Sequence, residues 1–346
     1  MGKRKAGQMN IAVATSYGDI YDNDKLFDLE SCKIGENLLL PGIMLKNKIE
    51  ELGHKCHTAD LYNFNDIDVL VFQDLNKNSR LLLSSPLEIT KYIAKRKWKY
   101  DYLYKYTNCS KKIKSILIIQ EPPIICPQSY DLKYHTFFDK VLTWNNDLID
   151  NKKYFPFFYP QVLPQIQRVH SFEKKKYLTM ICGNKTSNFP NELYSKRKSI
   201  IEYFENHNED FDLYGIGWSK NKYQSYRGAI DKKIYILSQY KFAVCFENMC
   251  NIKGYITEKI FDCFFAGCIP IYWGAENIDD YIPKDTFIDY REYGNIKKLN
   301  SYLKCMSLDT YCQYLNAIDR YLNSKDFKRY FSVESYIERM IYAILN

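Results

Sequence analysis

The sequence predicts an α/β protein made of two doubly wound, parallel-sheet domains. Three observations carry this expectation. The chain has 346 residues, more than a single hydrophobic core ordinarily organises. Short apolar runs alternate with helix-length segments in both halves, the pattern of buried parallel strands joined by crossover helices. A proline-dense stretch, YFPFFYPQVLP at residues 154–164, separates the halves, and proline restricts both its own φ and the residue before it.

In the first half, residues 10–16 (NIAVATS) form an apolar run that ends in small residues, as a buried strand does on entering a loop. A helical pattern over 36–52 stops at Gly53, a suitable C-cap. Residues 68–72 (DVLVF), 115–119 (SILII) and 140–144 (KVLTW) read as further strands, with a Lys/Tyr-rich helical stretch over 87–106 between the first two. In the second half, the strands are 177–182 (YLTMIC), 212–215 (DLYG), 242–246 (FAVCF) and 269–273 (IPIYW). Helices are expected over 193–206 and 230–238, and from a Thr257 cap to Ala266, where Gly267 ends the helix and Gly274 turns the chain after the last strand. Residues 334–345 place Tyr336, Ile337, Met340, Ile341 and Ile344 on one helical stripe, so this helix should dock on a domain. The expected division is 9–160 for the first domain, 165–330 for the second, and 331–346 for the helix that packs back.

Composition narrows the classes. Apolar residues make up 46% and charged residues 26%, which fits a globular chain and excludes a disordered one. The abundance of Lys, Asn, Ile and Tyr reads as A+T-rich coding before it reads as function. A net charge of +8 favours an anionic partner such as a nucleotide sugar. Lys174, Lys175 and Lys176 read as a solvated face, and no basic–aromatic array indicates nucleic acid. The 11 Cys are scattered, with no CxxC pair, as in a soluble cytoplasmic protein with reduced thiols. Peripheral membrane attachment is the alternative location. His54 and His57 flank Cys56 without a second ligand cluster, so a surface loop is expected there. The opening MGKRKAGQ lacks an apolar core for a signal peptide and reads as an added leader before Met9. The longest apolar stretch, 260–273, contains Asp262 and falls short of the roughly 20 residues a membrane span needs.

Residues 240–283, YKFAVCFENMCNIKGYITEKIFDCFFAGCIPIYWGAENIDDYIP, hold the densest chemistry. A buried strand ends at Glu247-Asn248, and Tyr255, Thr257, Glu258 and Lys259 sit at the mouth of the next helix. Ligands of open α/β sheets bind beyond the carboxyl ends of the strands. A helix N-terminus offers free N–H groups and a positive dipole to phosphate, and Lys259 adds a full positive charge. Glu258 can accept from sugar hydroxyls, and Tyr255 offers a flat ring. A carboxylate in the first helical turn also simply suits the dipole, so a nucleotide-phosphate site and an ordinary polar loop both remain open on these grounds.

The same segment resembles the donor-binding motif of the α1,3/4-fucosyltransferases, glycosyltransferase family 10. The likeness runs through YKF, FEN, GYITEK, PIYWG and YIP, with one extra residue in the loop, and extends weakly through most of the chain. It implies the GT-B architecture: two Rossmann-like domains facing across a cleft. It implies that Asn248, Tyr255, Glu258 and Lys259 contact GDP-fucose, and that Arg197 in YSKRKSIIEYF, flanked by Lys196 and Lys198, contacts the phosphates. A solvated helix face is the competing view of Arg197. The family's catalytic Glu-Ser-Pro corresponds here to Glu121-Pro122-Pro123, with proline in place of serine, just after the strand SILII.

The resemblance further implies inverting transfer of L-fucose to O3 of an N-acetylglucosamine or glucose in a glycan acceptor. Glu121 would be the general base and Glu258 an electrostatic stabiliser of the oxocarbenium-like transition state. No cofactor or metal is expected. The two DxD sequences, Asp22-Asn23-Asp24 and Asp66-Ile67-Asp68, read as chance occurrences. Two alternatives stay open: another GDP-deoxysugar donor (a deoxyheptose or dideoxyhexose), and a non-catalytic nucleotide- or carbohydrate-binding protein.

Overall fold

The apolar runs become the strands of two parallel six-stranded sheets. The computed structural model describes residues 7–32, 37–76, 90, 101–164, 172–207 and 209–346. One unit takes in the described N-terminus, Asn37–Phe158 and Tyr336–Asn346; the other is Tyr159–Ser335.

The first sheet comprises β1 (Asn10–Thr15), β2 (Lys55–Thr58), β3 (Val69–Gln73), β4 (Lys114–Ile119), β5 (Lys140–Thr143) and β6 (Tyr154–Pro156), in the order β2-β1-β3-β4-β5-β6. In β4 every residue after Lys114 is buried, which is why SILII carries no polar alternation. The sheet reverses direction between β1 and β3, and such a switch point leaves a crevice at the carboxyl ends of its two strands. Helix α1 (Leu40–Glu51) starts on Pro41 and turns Leu45 and Ile49 inward. Of the helical stretch expected over 87–106, residues 87–89 and 91–100 lie outside the described residues, as does residue 36 at the start of the earlier helix. The described remainder forms α2 (Tyr102–Thr107), capped by Asp101.

The second sheet comprises β7 (Lys176–Ile181), β8 (Phe211–Tyr214), β9 (Tyr226–Gly228), β10 (Tyr240–Phe246), β11 (Ile269–Trp273) and β12 (Ile288–Asp289), in the order β12-β11-β10-β7-β8-β9. Renumbered from its first strand this is 3-2-1-4-5-6, the dinucleotide-fold order, with its switch point between β7 and β10. Helices α3 (Tyr194–His207), α4 (Lys233–Ser238) and α5 (Glu258–Ala266) follow β7, β9 and β10; α6 (Ile296–Lys304), α7 (Leu308–Leu322) and α8 (Lys325–Phe331) follow β12. Thr257 caps α5 and Gly267 ends it in the left-handed conformation at φ 62°, as the sequence predicts.

The C-terminal helix, Val333–Leu345, buries Tyr336, Met340 and Ile344 beside Ile11, Val71 and Ile118 of the first sheet. Each such side chain contributes about 1.5–3 kcal/mol by leaving water.

Several expectations need correction. His57 and Cys56 lie in β2, not in a surface loop, and Cys56 is 1% exposed. The proline-dense stretch does not begin as a connector: residues 154–156 pair with β5 as an edge strand, where a proline's missing N–H faces no partner. The first DxD is structural. Asp24 takes His57 Nδ1 at 2.6 Å and the Thr58 amide at 2.8 Å, while Asp22 accepts from the Tyr102 hydroxyl. In the second, Asp68 accepts from the Asn10 amide and from Lys111. Among the described residues no helix is long and apolar enough to cross a membrane, and no cluster of metal-ligating side chains forms.

Candidate active site

In the second unit the site is built where β10 meets the mouth of α5, at the switch point. Glu247, just past β10, is fully buried. Its carboxylate accepts from the Thr257 amide at 2.9 Å, from the Thr257 hydroxyl at 2.8 Å and from Lys259 Nζ at 3.1 Å. A carboxylate with no exposure needs this satisfaction. Lys259 Nζ spends its other two donors on Thr257 Oγ1 at 2.9 Å and Glu258 Oε1 at 3.5 Å. Burial alone would lower the Lys259 ammonium, but Glu247 and Glu258 outweigh it and leave the group raised. Desolvation likewise works against the Glu258 carboxylate, yet Lys259 and Lys233 hold it down to about 2. Lys233 in turn pairs with Asp262 at 2.5 Å.

The helix mouth is therefore not the excess of positive charge that Lys259 suggests when read alone. Its cation is already shared between two carboxylates. The mouth is also not sealed, because the Lys259 and Glu258 side chains keep 23% and 41% exposure.

Arg197 reaches the same strand end from α3. It is 6% exposed, so the view of it as a solvated helix face does not hold. Its Nη2 donates to Phe246 O at 2.6 Å and to Asn248 Oδ1 at 3.2 Å. The Asn248 main chain is itself fixed, its carbonyl accepting from Leu193 N at 3.0 Å. Thus Arg197, Asn248, Glu258 and Lys259 come together. Tyr255 does not join them as expected: its ring is 1% exposed and offers no open face, and its carbonyl lies under the Tyr272 hydroxyl.

Glu247 is a functional candidate that sequence reasoning passes over, although it stands inside the FEN motif. Gly274 is explained by it. A Cβ there would fall 2.5 Å from Glu247 Cγ and against the Tyr272 hydroxyl.

In the first unit, Glu121 follows β4, the strand beside β3, which flanks that sheet's switch point. Its amide donates to Asp74 Oδ2 at 2.9 Å, its carbonyl accepts from Tyr130 Oη at 2.6 Å, and Tyr17 Oη donates to its carboxylate. Asp74 is 3% exposed; its burial, with help from the Glu121 charge and against three amide and hydroxyl donors, pushes its carboxyl up to about 8. Desolvation first, and the Glu121 charge second, push the Tyr17 phenol above its ordinary range, so the proton stays on Tyr17 and Glu121 accepts. Neither Asp74 nor Tyr17 carries a signal in the sequence: one is a single Asp after an apolar run, the other one of 32 Tyr.

Residues 172–338 match the glycosyltransferase family 10 (fucosyltransferase) C-terminal domain. An α-(1,3)-fucosyltransferase of Helicobacter pylori is 37% identical over 103 residues, which is 30% of this chain and 21% of that protein. A 4-galactosyl-N-acetylglucosaminide 3-α-L-fucosyltransferase of Cricetulus griseus is 26% identical over 200 residues, 57% of this chain and 50% of that protein. The chain thus spans half or less of the length of these curated relatives. The crystal structure of an α1,3-fucosyltransferase with GDP-fucose superposes with a TM-score of 0.56 at 18% identity, over 100% of this chain and 94% of that one, which makes the fold GT-B. The FEN–GYITEK segment lies inside the matched residues, so it is the second unit that carries the likeness to the glycosyltransferase family 10 C-terminal domain.

Proposed function

We propose that this chain transfers L-fucose from GDP-fucose to a glycan hydroxyl, O3 of an N-acetylglucosamine or glucose, with inversion at the anomeric carbon. The observation that carries the reading is the α5 mouth, where Lys259, Glu258, Arg197 and Asn248 converge at a switch point inside the family-matched domain.

The diphosphate of the donor docks on the first-turn amides of α5. Lys259 gives up its longest contact, the one to Glu258, for a phosphate oxygen, and keeps Glu247 and Thr257 as anchors. The freed Glu258 carboxylate, ionised because its pKa is held near 2, faces the positive charge that develops on the sugar ring. Arg197 and Asn248 steady the strand end, and Tyr255 holds the loop from within. In the transfer, the acceptor oxygen bonds to the anomeric carbon as the bond from that carbon to the phosphate oxygen breaks. The hydroxyl proton passes to Glu121, and GDP leaves with the electron pair. Eleven free cysteines suit a reducing, cytoplasmic compartment.

The test combines calorimetric GDP binding with transfer assays on N-acetylglucosamine- and glucose-containing oligosaccharides, using GDP-fucose beside other GDP-deoxysugars. Glu121→Ala is expected to remove turnover by about 10²–10⁴-fold with GDP affinity nearly intact. Lys259→Ala is expected to weaken GDP by about 1.5–3 kcal/mol. Preference for another GDP-deoxysugar would replace the donor assignment. Most activity surviving in Glu121→Ala would overturn the base, and GDP binding without turnover of any donor would favour a non-catalytic protein.

A further inference from the structure

We propose that Asp74 and Tyr17 are positioning residues for Glu121, clamping it from two sides: Asp74 holds its main chain and Tyr17 holds its carboxylate. The inference rests on Glu121 being the general base.

The clamp follows from where β3 stops. The β3–β4 ladder runs to Gln73 opposite Ile118. Asp74 then leaves the strand in the left-handed region, φ 57°, after its own amide has donated to Ile118 O at 2.9 Å. The next amides of β4 would be left without a ladder partner. The Asp74 carboxylate supplies one, accepting from Gln120 N at 3.2 and 3.3 Å and from Glu121 N at 2.9 Å. A buried amide without an acceptor costs free energy, so the side chain replaces the missing strand residue.

The same two residues are fixed at their carbonyls. Trp144 Nε1 donates to Gln120 O at 3.3 Å and Tyr130 Oη to Glu121 O. Only the Glu121 side chain is left to orient, and Tyr17, two strands over beyond the end of β1, does this. The titratable groups that the Glu121 charge reaches are Tyr17 and Tyr21 after β1, Asp74 after β3 and Tyr130 after β4. None of these is a cation, and among the described residues no ion pair involves Glu121, so a hydrogen bond aims this carboxylate. A general base must lie within hydrogen-bond reach of the proton it takes, and small misplacements are costly to rate.

The test compares Asp74→Ala, Asp74→Asn and Tyr17→Phe with Glu121→Ala, measuring kcat and KM for GDP-fucose, and amide hydrogen exchange at Gln120 and Glu121. Asp74→Ala should lower kcat on the order of 10²-fold while leaving KM for GDP-fucose nearly unchanged, and should turn both amides from slow to fast exchange. Asp74→Asn should recover much of that loss, because its amide oxygen still accepts from Glu121 N and Asn tolerates φ 57°. Tyr17→Phe, a change at a side chain 46% exposed, should fold normally. It should lower kcat roughly tenfold with KM for GDP-fucose nearly unchanged.

Folded Asp74→Ala and Tyr17→Phe proteins with wild-type kcat, beside an inactive Glu121→Ala, would overturn the clamp and leave the base standing. An active Glu121→Ala would remove the base. Fast exchange at both amides in the unmutated protein would overturn the clamp whatever the activity.

Discussion

The end of β10 flanks the switch point of its sheet and the end of β4 lies one strand beyond that of its own, and they are stabilised by opposite means. At β10 the carboxylate of Glu247 is fully buried and answered by a cation, Lys259, which is shared with Glu258. At β4 the carboxylate of Glu121 is half-buried and accepts from the Tyr17 hydroxyl, while its own amide donates to Asp74. A site that holds a diphosphate needs opposite charges kept in balance, so that a new anion can exchange for an old one. A site that takes up a proton needs a carboxylate free of any cation that would keep it from accepting. Mutations at the first end should therefore register as lost stability, and at the second as lost geometry.

The largest expected effect breaks the first end. Glu247→Ala leaves the Lys259 ammonium and the Thr257 amide without their buried acceptor, and removing one partner of a buried pair costs about 3–5 kcal/mol. Denaturant unfolding should show this loss for the second unit, and Glu247→Gln, which keeps an acceptor, should lose less. If Glu247→Ala unfolded like the unmutated protein, the ionic network would not be what holds the helix mouth.

The two ends also differ in how far the sequence reveals them. Glu247 and Thr257 are 10 positions apart, joined by one loop between a strand and its helix. Their chemistry can be read as a contiguous string, and the cap at Thr257 and stop at Gly267 follow from local rules. Tyr17 and Glu121 are 104 positions apart, and Asp74 and Glu121 are 47 apart. Only the order of strands brings them together, and the alternation of apolar runs predicts strands without their order. Apart from β6, the missed strands share a cause. β2, β9 and β12 are short and carry polar residues such as Lys55, Arg227 and Asp289, so no apolar run marks them. Tyr255 misleads for a related reason: a motif shows which residues belong to a loop, not which way each faces.

A smaller effect sharpens the comparison by adding one carbon. Gly274→Ala sets a methyl against Glu247 Cγ and the Tyr272 hydroxyl, and overpacking of this kind costs about 1–3 kcal/mol. The loss should appear together with weaker GDP binding, because the displaced Glu247 is the anchor of Lys259. Lost stability with unchanged GDP affinity would separate the packing of this strand end from the ligand site.

The smallest effect is a slope, and it tests the second end. The Asp74 carboxyl stands at about 8 in the folded protein, far above an ordinary aspartate near 3.9. Between those values the folded state holds a proton that the unfolded chain has released. Stability attributable to Asp74 must therefore fall as pH rises across that window and level off above about 8. The limit is about 1.4 kcal/mol per pH unit. Asp74→Asn cannot titrate, so its stability relative to the unmutated protein should improve by about 1 kcal/mol between pH 6 and pH 7, other groups cancelling in the difference. Urea melts of both proteins at several pH values measure it. A difference that stays flat over this range would mean that the Gln120 and Glu121 amides, not burial, govern the ionisation of Asp74. The end of β4 would then hold a stable anion after all, and would resemble the end of β10 more than its lack of a cation suggests.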